Sequence, residues 1–116
     1  MNKVHLTGRL THAPKTVYPT DEKPIPVTHY TLAVNRYVKG KEETAYIRCI
    51  AFGRMSEFAE SYFYKGVKVA VTGHIVTGSY KDREGRKVYT TDVVIEGQEF
   101  AESRKDAVNQ RVQIQE

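Results

Sequence analysis

Apolar and polar side chains alternate at every second residue through most of this 116-residue chain, and only one stretch breaks the rhythm. Period two marks a half-buried β-strand, so the chain is restricted to a β fold with a single helical interruption. At the N-terminus Val4, Leu6, Gly8 and Leu10 face one way, while Lys3, His5, Thr7 and Arg9 face the other. Ala13-Pro14 follows, and then 18–26, whose three prolines and charge cluster read as a surface loop. Residues 27–38 return to β-formers, but Ala33-Val34 blurs the alternation, which predicts a long strand that is strongly bent or bulged. Lys39-Gly40-Lys41-Glu42-Glu43 reads as a hairpin loop. Residues 44–53 alternate cleanly, with Tyr46, Arg48, Ile50 and Phe52 on one face and Ala45, Ile47, Cys49 and Ala51 on the other. Strands are also predicted over 67–80 and 88–95, joined by the charged turn 81–87.

The exception lies between the third and fourth of these strands. Met55, Phe58, Ala59, Tyr62 and Phe63 recur at three and four residues, with Ser56, Glu57, Glu60 and Ser61 between them. That is an amphipathic helix of about three turns, with Lys65 suited to its C-terminal dipole and Gly66 to a left-handed cap. Five strands with a helix between strands 3 and 4 is the order of the oligonucleotide/oligosaccharide-binding (OB) barrel, an all-β fold. Residues 1–97 form that domain in this reading, and 98–116 form a short polar tail expected to be disordered. The first 97 residues carry 15 basic and 10 acidic groups, a charge of +5, so the basic excess belongs to the barrel. Eight Tyr, four Phe and no Trp accompany it, a pairing that recurs on nucleic-acid-binding surfaces. No apolar run reaches the ~18 residues of a membrane span, and no signal-peptide pattern opens the chain. With one cysteine, Cys49, an internal disulfide is impossible and a cytoplasmic setting is expected.

Catalysis lacks parts. There is no phosphate-binding GxxxxGK[ST] loop, no GxSxG elbow and no HExxH pair. His5, His12, His29 and His74 stand far apart, each single in a strand or loop, which favours ordinary surface histidines over a metal site. Cys49 lies mid-strand, where a small buried hydrophobe is the default over a nucleophile. No enzyme activity, metal or cofactor is expected. Binding fares better: Tyr46, Phe52 and Arg48 share one face, and the small residues opposite suffice for a core. Tyr80 adjoins the basic turn of Lys81, Arg83, Arg86 and Lys87, and Tyr37 adjoins Arg36. Cations that track phosphates, interleaved with rings that stack bases, make a groove for single-stranded nucleic acid with little sequence preference.

The same residues carry a resemblance. Val4-His5-Leu6-Thr7-Gly8-Arg9-Leu10 with Pro14, Thr31-Leu32-Ala33-Val34-Asn35-Arg36, and Tyr46-Ile47-Arg48-Cys49-Ile50-Ala51-Phe52-Gly53-Arg54 come first. Tyr64-Lys65-Gly66, Val71-Thr72-Gly73-His74-Ile75, Tyr80, Glu84-Gly85 and Val88-Tyr89-Thr90-Thr91-Asp92-Val93-Val94 follow in order. Over about residues 1–100 the chain resembles the bacterial single-stranded DNA-binding protein family. The resemblance implies an OB barrel that assembles as a homotetramer and wraps single-stranded DNA in replication, repair or recombination. It places stacking rings at Tyr46, Phe52 and Tyr80, and backbone-contacting cations at Lys3, Arg48, Arg54 and Lys65. A fourth family ring would fall on Val38, whereas this chain has Tyr37. A bulge or one-residue slip is then needed to turn Tyr37 to the groove.

One departure concerns partners. The family's full-length members end in an acidic tip that recruits replication and repair proteins, and Gln113-Ile114-Gln115-Glu116 does not match it. Recruitment of replication proteins by that route is therefore not expected. Two other classes stay open at the level of sequence: a primosomal-type OB module that bridges protein partners, and a barrel nuclease. DNA and RNA are not distinguished, since stacking alone does not sense the 2′-hydroxyl.

Overall fold

The structure, a computed structural model, describes residues 1–18 and 25–102. Its elements are β1 (Val4–Leu10), β2 (Lys15–Val17), β3 (Val27–Val38), β4 (Lys41–Phe52), α1 (Arg54–Tyr62), β5 (Lys68–Lys81) and β6 (Lys87–Phe100). The strands run in the order β1-β5-β6-β4-β3-β2, and β1 also pairs with β3, so five strands close into a barrel with β2 laid on the edge of β3. This is the expected all-β OB architecture. The short β2, hidden from sequence analysis in the proline-bearing loop, moves the helix from between the third and fourth strands to between the fourth and fifth. Part of that loop and residues 103–116 of the expected tail lie outside the described residues.

Alternation decides what the barrel encloses. Tyr30 and Leu32 from β3, Cys49 and Ala51 from β4, Val69 and Val71 from β5, and Val93 and Ile95 from β6 are buried together with Leu10, Ala59, Phe63 and Val67. Burying one such Val, Leu or Ile side chain is worth about 1.5–3 kcal/mol. Closure also needs two positions without a side chain. A Cβ on Gly8 would stand 2.5 Å from the Ala33 carbonyl oxygen, and one on Gly73 would collide with the Val94 carbonyl.

Two irregularities fall elsewhere than the sequence suggests. The expected bulge in β3 is absent from its ladder with β4: the register runs unshifted from Val27↔Phe52 to Val38↔Lys41. The alternation of Thr28, Tyr30, Leu32 and Val34 toward the core is in fact intact, and Asn35, Arg36 and Tyr37 are exposed because the hairpin projects beyond the barrel. A two-residue turn closes it, with Lys39 and Gly40 both at positive φ (51° and 77°), so β4 begins at Lys41 rather than at 44. The bulge sits instead opposite Thr72/Gly73, where Ile95 pairs with Gly73 and Gly97 with Thr72, leaving Glu96 as the extra residue. Inward positions therefore switch from Val93 and Ile95 to Gln98 and Phe100, and β6 continues to Phe100, past the expected strand end at 95 and domain boundary at 97. Gln98 confirms the switch: it accepts from the Tyr30 hydroxyl (2.9 Å) and donates to the Met55 carbonyl (2.7 Å).

The helix closes one end of the barrel. Ser56, expected on its outer side, is fully buried because its hydroxyl and that of Thr28 hydrogen-bond each other at 2.5 Å. Tyr62, expected on the apolar side, is exposed. The helix stops at Tyr62 with Phe63 extended, and Gly66 (φ 90°) serves the turn that follows, its N–H bonded to the Leu10 carbonyl at 2.9 Å.

Candidate nucleic-acid interface

Because directly paired residues of a ladder project to the same side, the register defines the barrel's outer face. On β4 it holds Tyr46, Arg48, Ile50 and Phe52, paired with Ala33, Thr31, His29 and Val27 of β3. The core takes the alternate residues Cys49 and Ala51, so Tyr46 is left 69% exposed and Phe52 47% exposed. That is the orientation expected from the small residues opposite. Tyr37 pairs with Glu42 and belongs to the same face without any slip, because it stands an even number of residues from Ala33 and the ladder is unshifted. The requirement for a bulge at Tyr37 is thereby corrected.

β6 carries the face onward. Its parallel pairing of Ile50 with Val94 puts Val94, Asp92 and Val88 outward, and Val88 pairs with Tyr80 of β5, itself 56% exposed. Tyr37, Tyr46, Phe52 and Tyr80 thus share one continuous outer surface, with Arg48 among them. Across the β4–β6 seam Arg48 Nε lies 3.2 Å from Asp92 Oδ1. The approach is close enough for charge attraction but is not aligned as a hydrogen bond, and Oδ1, buried, has no hydrogen-bond partner among the described residues. Beneath this seam, burial, with Asp92's charge adding, pushes the Cys49 thiol up to about 12, so the sulfur is a protonated core group. Burial likewise raises the Tyr30 phenol well above its usual range, with Cys49 a lesser cause.

The remaining expected cations divide. Arg54 and Lys65 are exposed at the start of α1 and in the turn beyond it. Lys3 donates to Glu96 Oε2 at 2.6 Å, and that bond, assisted by His74 at 3.4 Å, holds the Glu96 carboxyl below its ordinary range. Arg36 points to the opposite side of its hairpin from Tyr37 and pairs with Glu43 at 3.0 Å. In the β5–β6 turn, Asp82 accepts from the N–H groups of Glu84 (3.0 Å) and Arg86 (2.8 Å). Arg86 is further held by Asp82 (3.3 Å) and Glu84 (2.6 Å), leaving Arg83 exposed and without an ion pair among the described residues. Lys81 pairs directly with Lys87, and both project away from Tyr80's side; Lys87 lies 5.2 Å from the centre of the Tyr89 ring. Tyr89, 75% exposed on that second side, was missed by sequence reasoning, although its place two residues after Lys87 in an alternating strand carried the signal.

Among the described residues no cluster of His, Cys, Asp or Glu is placed to hold a metal ion, and no helix is long and apolar enough to cross a membrane. The chain matches the model of the single-strand binding protein family over residues 1–101. It is 47% identical over 103 residues to a single-stranded DNA-binding protein of Clostridium perfringens, covering 89% of this chain and 67% of that protein. A Staphylococcus aureus single-stranded DNA-binding protein 1 is 35% identical over 112 residues, covering 94% of this chain and 66% of its own length. A Halalkalibacterium halodurans single-stranded DNA-binding protein is 37% identical over 107 residues, covering 90% and 62%. The chain therefore spans about two-thirds of the length of these relatives.

Proposed function

The chain belongs to the single-strand binding protein family, and from that premise we propose that its outer barrel face binds single-stranded DNA with little sequence preference. The observation that carries this reading is the placement of four exposed rings, Tyr37, Tyr46, Phe52 and Tyr80, on one surface with Arg48. Flat rings stack any base, and the cations neutralise the backbone between stacks. The binding set is Tyr37, Tyr46, Phe52 and Tyr80 for stacking, with Lys3, Arg48, Arg54 and Lys65 on phosphates. Arg83, Lys81 and Lys87 meet the strand where it crosses the projecting turn; Arg36 and Arg86, each already paired with carboxylates, contribute less. The protein acts in the cytoplasm by covering and protecting strands exposed in replication, repair or recombination. It needs no cofactor, and the reading assigns it no catalytic step.

A homotetramer completes the proposal. Its support, beside the family, is an open edge: β1 pairs with β3 only at Arg9 and Leu10, so on that side residues 4–8 have no strand partner among the described residues. An edge of this kind is a template for another strand. Fluorescence titration with dT and rU oligomers of graded length at two salt concentrations tests the binding. The logarithm of affinity is expected to fall against that of salt with a slope of about −0.7 per phosphate neutralised. Affinity for dT that ignores salt contradicts the reading. Light scattering is expected to give four times the chain mass.

A further inference from the structure

Two of the four histidines that stand apart in sequence are brought together by the fold. β2 pairs with β3 through Lys15↔His29, and β3 with β4 through His29↔Ile50 and Thr31↔Arg48. Lys15, His29 and Arg48 therefore project from three adjacent strands to the same outer side. The connection between β1 and β2 adds His12, and the four line a cleft of about 320 Å³ together with Ala13 and Thr31. His12 Nδ1 is fixed by the Thr11 hydroxyl at 2.9 Å. Neither Lys15 nor His29 has an ion-pair partner among the described residues, and Arg48 is the cleft's link to the stacking face.

We propose that this cleft is a phosphate subsite, occupied by an internucleotide phosphodiester of the strand that stacks on Tyr46 and Phe52, and that its grip tightens as pH falls. The proposal rests on the single-stranded DNA reading and extends it to residues outside the family-derived set. The charged side chains that line the cleft, Lys15 and Arg48, are both cations; Tyr30 and Cys49 also line it, and burial keeps both protonated. β2 offers Lys15, β3 offers His29 with Tyr30 and Thr31, β4 offers Arg48 and Cys49, and the β1–β2 connection offers His12 and Ala13. No carboxylate of the described residues lines the cleft, and Asp92 faces Arg48. Imidazoles change charge between about pH 5 and 8, so acidification adds positive charge where lysine and arginine already draw an anion. A phosphodiester and a thymine keep constant charge over that range. The pH dependence of dT binding then belongs to the protein.

The test is a titration of the full chain with a dT oligomer at about pH 5.5 and about pH 8, at fixed ionic strength, with folding of every variant checked by circular dichroism. The wild type is expected to bind about two- to tenfold tighter at the lower pH, and the His12→Gln/His29→Gln double variant about equally at both. His5→Gln, whose histidine lies outside the cleft, is expected to keep the wild-type difference. Lys15→Gln is expected to reduce the salt slope by about 0.7 at both pH values, the loss of one phosphate contact. Affinity that is flat with pH, or a pH dependence that survives in the double variant, overturns the subsite while leaving DNA binding in place. Absence of dT binding at either pH removes the parent reading and the subsite with it. Inorganic phosphate added at matched ionic strength is expected not to compete. Displacement of dT from the wild type but not from the double variant reassigns the cleft to a free phosphate ion and overturns the proposal.

Discussion

Tyr46 and Tyr30 are the same residue type with opposite fates, and parity alone separates them. Tyr30 is buried and satisfied by Gln98, whereas Tyr46 stands 69% exposed. Tyr46→Ala therefore removes little packing and much stacking. We expect affinity for dT to fall by about 1–3 kcal/mol, with the melting temperature almost unchanged, in paired binding and thermal-unfolding measurements. Phe52→Ala is expected to behave alike. Loss of folding in either variant would mean that the ring supports the barrel. These orientations were legible in the sequence because Ala45, Ile47, Cys49 and Ala51 already supplied a core face. His29 and Lys15 were not legible, since their proximity depends on a three-residue strand of ordinary composition, Lys-Thr-Val, inside a loop. The burial of Ser56 was hidden for a related reason: a hydroxyl is read as polar until its partner Thr28 is known.

At the level of elements, the β5–β6 pair is decided by a backbone collision that composition does not announce. Gly73 lies at the register shift, with the Val94 carbonyl filling the space a side chain would need. Gly73→Ala must push the two strands apart where they close the barrel. We expect a loss of about 1–3 kcal/mol, measured by urea unfolding. Gly78→Ala, where the nearest atom is a Thr90 hydroxyl at 3.3 Å, is expected to cost less. An equal loss at both sites would show that β-propensity rather than the collision sets the cost. Alternation gave the strands themselves, but the bulge at Glu96 looked like a strand end because it reverses the pattern by one residue. The blur at Ala33-Val34 had the converse effect: outward apolar side chains suggested an irregularity where the ladder is regular.

At the scale of the whole molecule, two cations of the proposed binding set stand beside carboxylates. Lys3 is bonded to Glu96, and Arg48 faces the buried Asp92. Glu96 titrates below its ordinary range. Its link to Lys3 is thus complete at neutral pH and is lost as pH falls through that depressed value, so acid rather than alkali frees Lys3. In the proposed binding mode, a phosphate that reaches Lys3 or Arg48 displaces an anion already there, and that anion waits within reach to return. Departure of the strand is then an exchange of ligands rather than the baring of a charge. Glu96→Gln and Asp92→Asn are expected to prolong residence on dT about two- to fivefold in stopped-flow displacement; unchanged or faster release contradicts this. A surface that carries its own competitor is suited to lodging a strand briefly. In that proposed mode the face holds DNA with many weak contacts and yields it one contact at a time.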